Sequence, residues 1–137
     1  MNYFYYKTFA RVCLLPYAGG TIIHLLRLIY NFPYEELPWV VDWVIVLIGG
    51  YAGLGLILYI NKIPFKNKWD KIFYGLLIFH LDGSVLLHAY VLISGNHHLL
   101  DIFPYWYSFI AVFYFAAFGY YVIRLNIRLN ASLKLSG

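Results

Sequence analysis

Four long runs of apolar residues, separated by short polar segments, constrain this chain more than any other feature of its sequence. Crossing a hydrocarbon core about 30 Å thick takes about 20 helical residues, and each run is long enough. The segments between the runs are too short to form separate domains, so consecutive helices are expected to be antiparallel neighbours. The sequence therefore predicts a single all-α integral membrane domain over residues 1–137, an up-down four-transmembrane-helix bundle with spans at residues 12–31, 39–60, 71–94 and 105–124.

The composition argues against a soluble domain. Of the 137 residues, 63% are hydrophobic and only 12% are charged, which is too little charge to cover the surface of a soluble protein. Aromatic residues make up 22% of the chain, as is typical where Tyr and Trp lie at a membrane interface. The net charge of +4 comes from basic residues at the ends of the apolar runs, so we expect the lipid bilayer and no nucleic acid as a partner.

The distribution of charge predicts the orientation of the helices. Nine of the ten Lys and Arg residues lie at the end of the bundle that holds both termini and the middle loop, whereas Arg27 alone lies nearer the other end. By the positive-inside rule, both termini are predicted to be cytoplasmic, in an inner or plasma membrane. Residues 125–137 form a basic tail with leucines at every fourth position, and this tail is expected to extend span 4 and lie along the inner headgroups.

Polar side chains recur along one face of span 1. Their spacing alternates between four and three residues, which places them all on one stripe of a helix. Ionisable groups cost several kcal/mol each when they face lipid, so this stripe is predicted to face the interior of the bundle. Helix packing alone explains the small and aromatic members but explains His24 and Arg27 poorly. The stripe consists of Cys13, Tyr17, Gly20, His24, Arg27 and Asn31.

Span 3 carries a second polar face within the stretch HLDGSVLLH at residues 80–88. His80, Ser84 and His88 share this face, whereas Asp82 points about 160° away from its centre on a straight helix. Either span 3 is buried on two sides, or Asp82 and Gly83 distort the helix locally.

The depth of the histidines predicts a shared cavity. His24 and His88 lie six or seven residues from the outer ends of their spans, about 10 Å below the interface. Spans 1 and 3 are diagonal in an up-down bundle, so both imidazoles can reach its centre. The sequence thus predicts an outward-facing polar cavity whose candidate ligand-binding residues are Tyr17, His24, Arg27, Asp42, His80, Asp82, Ser84 and His88.

Such a cavity suits a small amphipathic or redox ligand, either haem, a quinone or a lipid-like molecule. Two facing imidazoles could ligate haem b or a metal ion, which makes His24 and His88 the candidate metal ligands. Two alternatives stay open. One is a membrane-embedded enzyme that uses His88 or His24 as an acid–base group on a lipidic substrate. The other is a structural accessory subunit of a homodimer or a larger membrane complex, in which the polar stripes only hold helices together.

Two further expectations concern packing and the outer loop. Gly49 and Gly53 form a G-x-x-x-G pair, which predicts close helix contact in span 2. Gly53→Leu is therefore expected to destabilise the fold or an oligomer, and Gly55→Leu, on another face, to do so less. His97 and His98 are expected to be polar residues at the interface, with little effect when His97 is replaced by alanine.

Overall fold

The structure is a computed structural model that describes residues 3–135 as helices and short connections, with no strand in that range. The α-helices are α1 (Tyr3–Val12), α2 (Leu14–Tyr30), α3 (Trp39–Val44), α4 (Gly50–Leu58), α5 (Lys68–Ser94) and α6 (Tyr105–Leu135). A π-helical turn, Ile45–Gly49, joins α3 to α4, and short 3-10 turns lie at Tyr34–Glu36, Ile60–Lys62 and His97–Ile102. The predicted tail, residues 125–137, extends beyond this range, because residues 136 and 137 lie outside the described residues.

Four helical segments are long and apolar enough to cross a membrane, which confirms the predicted all-helical chain with four candidate spans. The segments are Lys7–Tyr30, Trp39–Leu58, Lys68–Ser94 and Tyr105–Ser132. Their outward surfaces are apolar: Phe79 is 80% exposed and Ile93 is 86% exposed. Soluble proteins rarely expose large contiguous apolar patches, so these surfaces fit contact with lipid.

Two spans are interrupted, each for a local reason. Span 1 breaks at Cys13, between α1 and α2, because Pro16 has no N–H to donate to the carbonyl of Val12. Span 2 widens at the π-helical turn, which ends at Gly49. A π turn inserts an extra residue into the helix and is frequent beside functional sites.

The caps of the helices fix where the loops begin. Asn31 ends α2 at φ 50° and Gly95 ends α5 at φ 66°, both in the left-handed conformation that commonly terminates helices. At the other end of α5, the Asn67 side chain accepts a hydrogen bond of 2.9 Å from the backbone N–H of Asp70, a standard N-terminal cap.

Span 2 and span 3 pack side by side in opposite directions. Near one end, His88 contacts Asp42 at 2.5 Å. Near the other end, the Tyr74 hydroxyl donates to the carbonyl of Leu56 at 2.8 Å. Residue numbers therefore rise along one helix as they fall along its neighbour.

Spans 4 and 1 also pack antiparallel to each other. Side chains of span 4 additionally contact span 3. His24 lies 3.1 Å from Ser108 at one end of this pair, and the Asn126 amide donates to the carbonyl of Ala10 at 3.0 Å toward the other. At that second end, Arg128 forms an ion pair with Asp70 of α5. The helices thus associate as two close pairs, α2 with α6 and α3–α4 with α5.

The glycines of span 2 contact two different neighbours. A Cβ on Gly53 would collide with the Asp82 carboxylate, and a Cβ on Gly49 would lie 3.0 Å from Val85, so both approach α5 closely. A Cβ on Gly55 would collide with the ring of Phe9 in α1. The premise that Gly55 lies away from the packed surface is therefore wrong, because a second helix packs on that face.

We expect Gly55→Ala to lower the free energy of unfolding by about 1–3 kcal/mol, since overpacking a closed contact forces its neighbours apart. The Phe9 ring has little room to move, because its centroid lies 4.9 Å from that of Tyr51 and 5.6 Å from that of Tyr59. Gly50→Ala is the matched control in the same helix: its Cβ would make an ordinary contact of 3.6 Å with Val85, and alanine favours helix. Equal unfolding free energies of the two variants in detergent would contradict this account.

Candidate functional site

A cavity of about 280 Å³ lies between the two helix pairs. Most of its wall is aliphatic or aromatic, and its polar groups are three imidazoles and several hydroxyls. The polar side chains on the wall are Tyr17, His24, Tyr34, His80, Ser84, His88 and Tyr107. This mixture of an apolar wall with a few polar groups is typical of sites for small organic ligands.

The structure brings together five of the eight residues that the sequence singled out. Tyr17 and His24 of α2 and His80, Ser84 and His88 of α5 line the cavity. The other three, Arg27, Asp42 and Asp82, are not part of its wall. Arg27 and Asp42 lie behind the wall, and the Asp82 side chain lies against the backbone of span 2 at Gly53.

His24 is held by a small hydroxyl network. Its Nδ1 lies 3.1 Å from the Ser108 hydroxyl and 2.9 Å from the Tyr34 hydroxyl, and these two hydroxyls lie 3.2 Å apart. Burial raises the pKa of Tyr34, so its hydroxyl keeps its proton at neutral pH. Nδ1 is thus engaged within the protein, and Nε2 is the nitrogen that remains for the cavity.

Arg27, a candidate ligand-binding residue in the sequence, closes the end of the α2–α6 pair and does not line the cavity. Its guanidinium is buried and donates to the Ser108 hydroxyl at 2.9 Å. It also donates to the carbonyls of Phe32, Phe103 and Pro104 at 3.2–3.3 Å. Since its donors are occupied by loop and helix-end carbonyls, Arg27 positions the loops and is not available to a ligand in the cavity.

Asp42 connects two histidines from different parts of the chain. Its side chain is fully buried, with Oδ1 2.5 Å from Nδ1 of His88 and Oδ2 2.9 Å from Nε2 of His97. The second approach is oblique: the two atoms are close without the alignment of a hydrogen bond. His97 also contacts the carbonyl of Glu35 through Nδ1 at 3.1 Å and stacks on Trp39 at 4.7 Å.

The structure differs from the expectation that His97 is an interfacial residue. His97 is buried, with 8% of its surface exposed, whereas the side chain of His98 is 79% exposed. The difference arises because Asp42 needs a partner inside the protein and the loop folds back to provide one.

His80 is the third imidazole on the cavity wall. Its Nε2 lies 3.1 Å from the hydroxyl of Tyr114, which in turn forms a short hydrogen bond with Tyr107. Its Nδ1 is buried without a hydrogen-bond partner among the described residues. These two tyrosines of α6 thus support His80 from one side, and its other nitrogen lies buried in the wall.

The cavity does not end in the outward-facing polar opening that the sequence predicts. Tyr34 and Leu37 from one loop and Leu100 and Phe103 from the other line the cavity at the loop end. The two loops are tied together there, because Asp101 accepts the backbone N–H of Tyr34 at 2.7 Å. On the side of α5, Phe79 and Gly83 both line the cavity and are exposed at the surface. The cavity therefore opens laterally, on the apolar face of the spans.

The described residues contain one cluster of three side chains that could hold a metal ion, and it lies outside the cavity. It consists of Glu35, His98 and Asp101 in the two loops, all solvent-facing. His98 is already paired with Glu35, and Asp101 accepts backbone N–H groups. His24 and His88, the metal ligands suggested by the sequence, belong to no such cluster among residues 3–135.

Sequence reasoning missed Tyr34, His97, Tyr107 and Ser108. Two signals point to some of them. Ser108 is the only Ser or Thr between residues 105 and 131, and it lies at the depth of Arg27. A carboxylate such as Asp42 inside an apolar run also requires a buried partner, and the loop histidines are the nearest candidates in depth. Nothing in the sequence singles out Tyr34 and Tyr107 from the other tyrosines.

Comparison with known proteins gives no relative: no protein-family model, no curated protein and no solved structure matches this chain.

We expect His97→Ala to lower the free energy of unfolding by about 3 kcal/mol, because removing one partner leaves a buried charge uncompensated. His98→Ala is the matched control, one residue away and exposed, and should change stability by less than about 0.5 kcal/mol. The measurement is reversible unfolding in mixed detergent without added ligand. If the two variants are equally stable, Asp42 does not depend on His97.

Proposed function

We propose that this membrane protein binds a small neutral amphipathic ligand, whose polar head contacts the imidazoles of the cavity and whose apolar tail extends into the bilayer. One observation carries the proposal. A mostly apolar cavity of about 280 Å³, walled by His24, His80 and His88, opens on the lipid-facing side of α5.

The position of the mouth supports entry from the bilayer. Gly83 lies 15 residues from the first residue of α5 and 11 residues from the last, or about 22 Å and 16 Å along the helix. The mouth is therefore near the middle of the span, at the depth of the hydrocarbon core. A ligand that partitions into lipid reaches this depth without crossing water.

The charges around the cavity support a neutral ligand, such as a quinone-type or lipid-like molecule, over haem b. The propionates of haem require cations or many hydrogen-bond donors. No Lys or Arg lines the cavity among the described residues, and the donors of Arg27 are used by Ser108 and loop carbonyls. The volume also lies at the low end for ligand pockets, which suits a single ring or chain.

A second candidate function, an acid–base enzyme acting on a lipidic substrate, is favoured by the pairing of His88 with Asp42. A carboxylate bonded to Nδ1 orients the ring and leaves Nε2 to exchange a proton with a bound substrate. The contact of 2.5 Å between His88 and Asp42 has this arrangement. Turnover of a bound ligand, which His88→Ala abolishes, would favour this function over binding alone.

We further propose that the helices form an up-down bundle with both termini and the middle loop in the cytoplasm of an inner- or plasma-membrane protein. The support is the placement of the charges. Nine of ten basic residues lie toward one end of the helices, while Glu35, Glu36 and Asp101 lie in the loops at the other. Basic residues in short loops are retained on the cytoplasmic side.

We expect Gly83→Phe to weaken ligand binding at least about tenfold, because a ring at the mouth obstructs entry while a Cβ at this position meets nothing within 4 Å. Gly75→Phe is the matched control, since Gly75 is exposed on the same helix, equally open and away from the cavity. The measurement is calorimetric titration of nanodisc-embedded protein with 2-decylhydroquinone and, separately, with its quinone. If neither probe binds the native chain, or Gly83→Phe binds both as well as Gly75→Phe does, the proposed site is wrong and the polar contacts serve helix packing.

The orientation is tested by cysteine labelling of Lys66→Cys and Asn96→Cys with a membrane-impermeant maleimide. Both positions are exposed, and the native Cys13 is fully buried, so the native thiol should not react. We expect labelling of position 96 on intact cells and of position 66 only after permeabilisation. The reverse pattern would place the termini outside.

A further inference from the structure

The hydrogen-bond networks behind the cavity wall fix which ring nitrogen carries the proton in His24 and in His88. We infer that His24 presents an N–H donor and His88 a lone-pair acceptor, so that the cavity selects amphiphiles with a free hydroxyl over the corresponding ethers and ketones. Hydroquinones and long-chain or sterol alcohols share this chemistry. The inference rests on the proposed function and specifies the class of head group that the site binds.

The donor character of His24 follows from counting protons in its network. Ser108 accepts from Arg27, and the Ser108 and Tyr34 hydroxyls each carry one proton. Among the described residues, the only acceptors that these two hydroxyls contact are each other and Nδ1 of His24. One hydroxyl can donate to the other, so the remaining proton must go to Nδ1. If Nδ1 carried a proton, one hydroxyl would have nothing to donate to.

A neutral ring with an unprotonated Nδ1 carries its proton on Nε2. The charge of Arg27, which bonds to the same Ser108 hydroxyl at 2.9 Å, disfavours a second positive charge on His24. His24 therefore turns an N–H toward the cavity.

The acceptor character of His88 begins with His97. Nδ1 of His97 lies 3.1 Å from the carbonyl of Glu35 and must carry a proton, because a carbonyl only accepts. Its Nε2 lies 2.9 Å from Oδ2 of Asp42. The two atoms are close without the alignment of a hydrogen bond, so His97 lies beside Oδ2 and leaves Oδ1 to His88.

The Asp42 carboxylate then accepts from His88 through its other oxygen. A carboxylate oxygen accepts, so Nδ1 of His88 donates at 2.5 Å. A second proton, on Nε2, would place a charge against the apolar wall of the cavity, so His88 stays neutral. Its Nε2 is unprotonated and can accept a hydrogen bond from an occupant of the cavity.

Neither Nε2 atom has a hydrogen-bond partner within residues 3–135, and neither is sealed away from the cavity surface. A hydroxyl group offers what these two atoms lack: its oxygen can accept from His24, and its proton can go to His88 or to Ser84, which lies one turn from His88 on the same face. An ether or ketone oxygen only accepts, so it leaves His88 unpaired in an apolar cavity. Such an unmade hydrogen bond reduces affinity by about tenfold to a hundredfold.

The binding test uses two matched pairs of probes in nanodiscs: 2-decylhydroquinone with its dimethyl ether, and 1-dodecanol with its methyl ether. We expect each hydroxyl compound to bind at least about tenfold more tightly than its ether, after correction for partitioning into lipid. The pair that binds more tightly identifies an aromatic or an aliphatic alcohol as the natural class. Equal binding within both pairs overturns this inference but leaves the proposed function standing, whereas no binding of any probe overturns the proposed function.

Asp42→Leu gives a sharper test, because it removes the acceptor that keeps the ring proton of His88 on Nδ1. The variant should lose the preference for hydroxyl over ether. Asp82→Leu is the matched control, a carboxylate of the same helix as His88 that lies off the cavity wall, and it should keep the preference.

The tautomers are also measurable in the native chain, which covers the case that Asp42→Leu does not fold. Nitrogen-15 NMR of imidazole-labelled protein should show the proton of His24 on Nε2 and that of His88 on Nδ1. His88 protonated on Nε2, or His24 protonated on Nδ1, would overturn the inference.

Discussion

The hydrocarbon core of a bilayer offers no water to a polar side chain, so each ionisable group within these helices must find its partner inside the protein. Asp42 shows what this requirement does to the fold. It lies in span 2, and its two oxygens contact His88 of span 3 and His97 of the loop beyond. One buried carboxylate therefore fixes the spacing of two helices and folds a loop back onto them.

Arg27 has the corresponding role in the other helix pair. Its guanidinium holds the backbone carbonyls of both loops and the hydroxyl of Ser108 in α6. The two loops are joined in turn by Asp101, which accepts the N–H groups of Tyr34 and Glu35. The same contacts that stabilise this end of the bundle also orient His24 and His88. Stability and site chemistry are thus linked through the same residues.

The cavity lies between the two helix pairs, which contact each other elsewhere. Glycines bring α4 against α5, α2 packs against α6, and Phe9 of α1 packs on Gly55 of α4. The rings of Tyr17, Phe115 and Phe118 pack together between the pairs, and the Asp42 and Arg27 networks lie behind the cavity wall. The mouth at Phe79 and Gly83 lies on the exposed apolar surface of the spans, as the proposed entry of a ligand from the bilayer requires.

The sequence by itself determined the helical class, the four candidate spans and the inward stripes that carry His24, His80, Ser84 and His88. These follow from local periodicity and from the cost of exposing polar groups to lipid, and neither depends on how the helices pair. Only the tertiary structure decided that Arg27 and Asp42 stand behind the wall, that Gly55 packs on Phe9, and that His97 is buried while His98 is exposed. The physical reason is that a hydrogen-bond partner is chosen by distance in space, and the partners of His24 are 10 and 84 residues away along the chain.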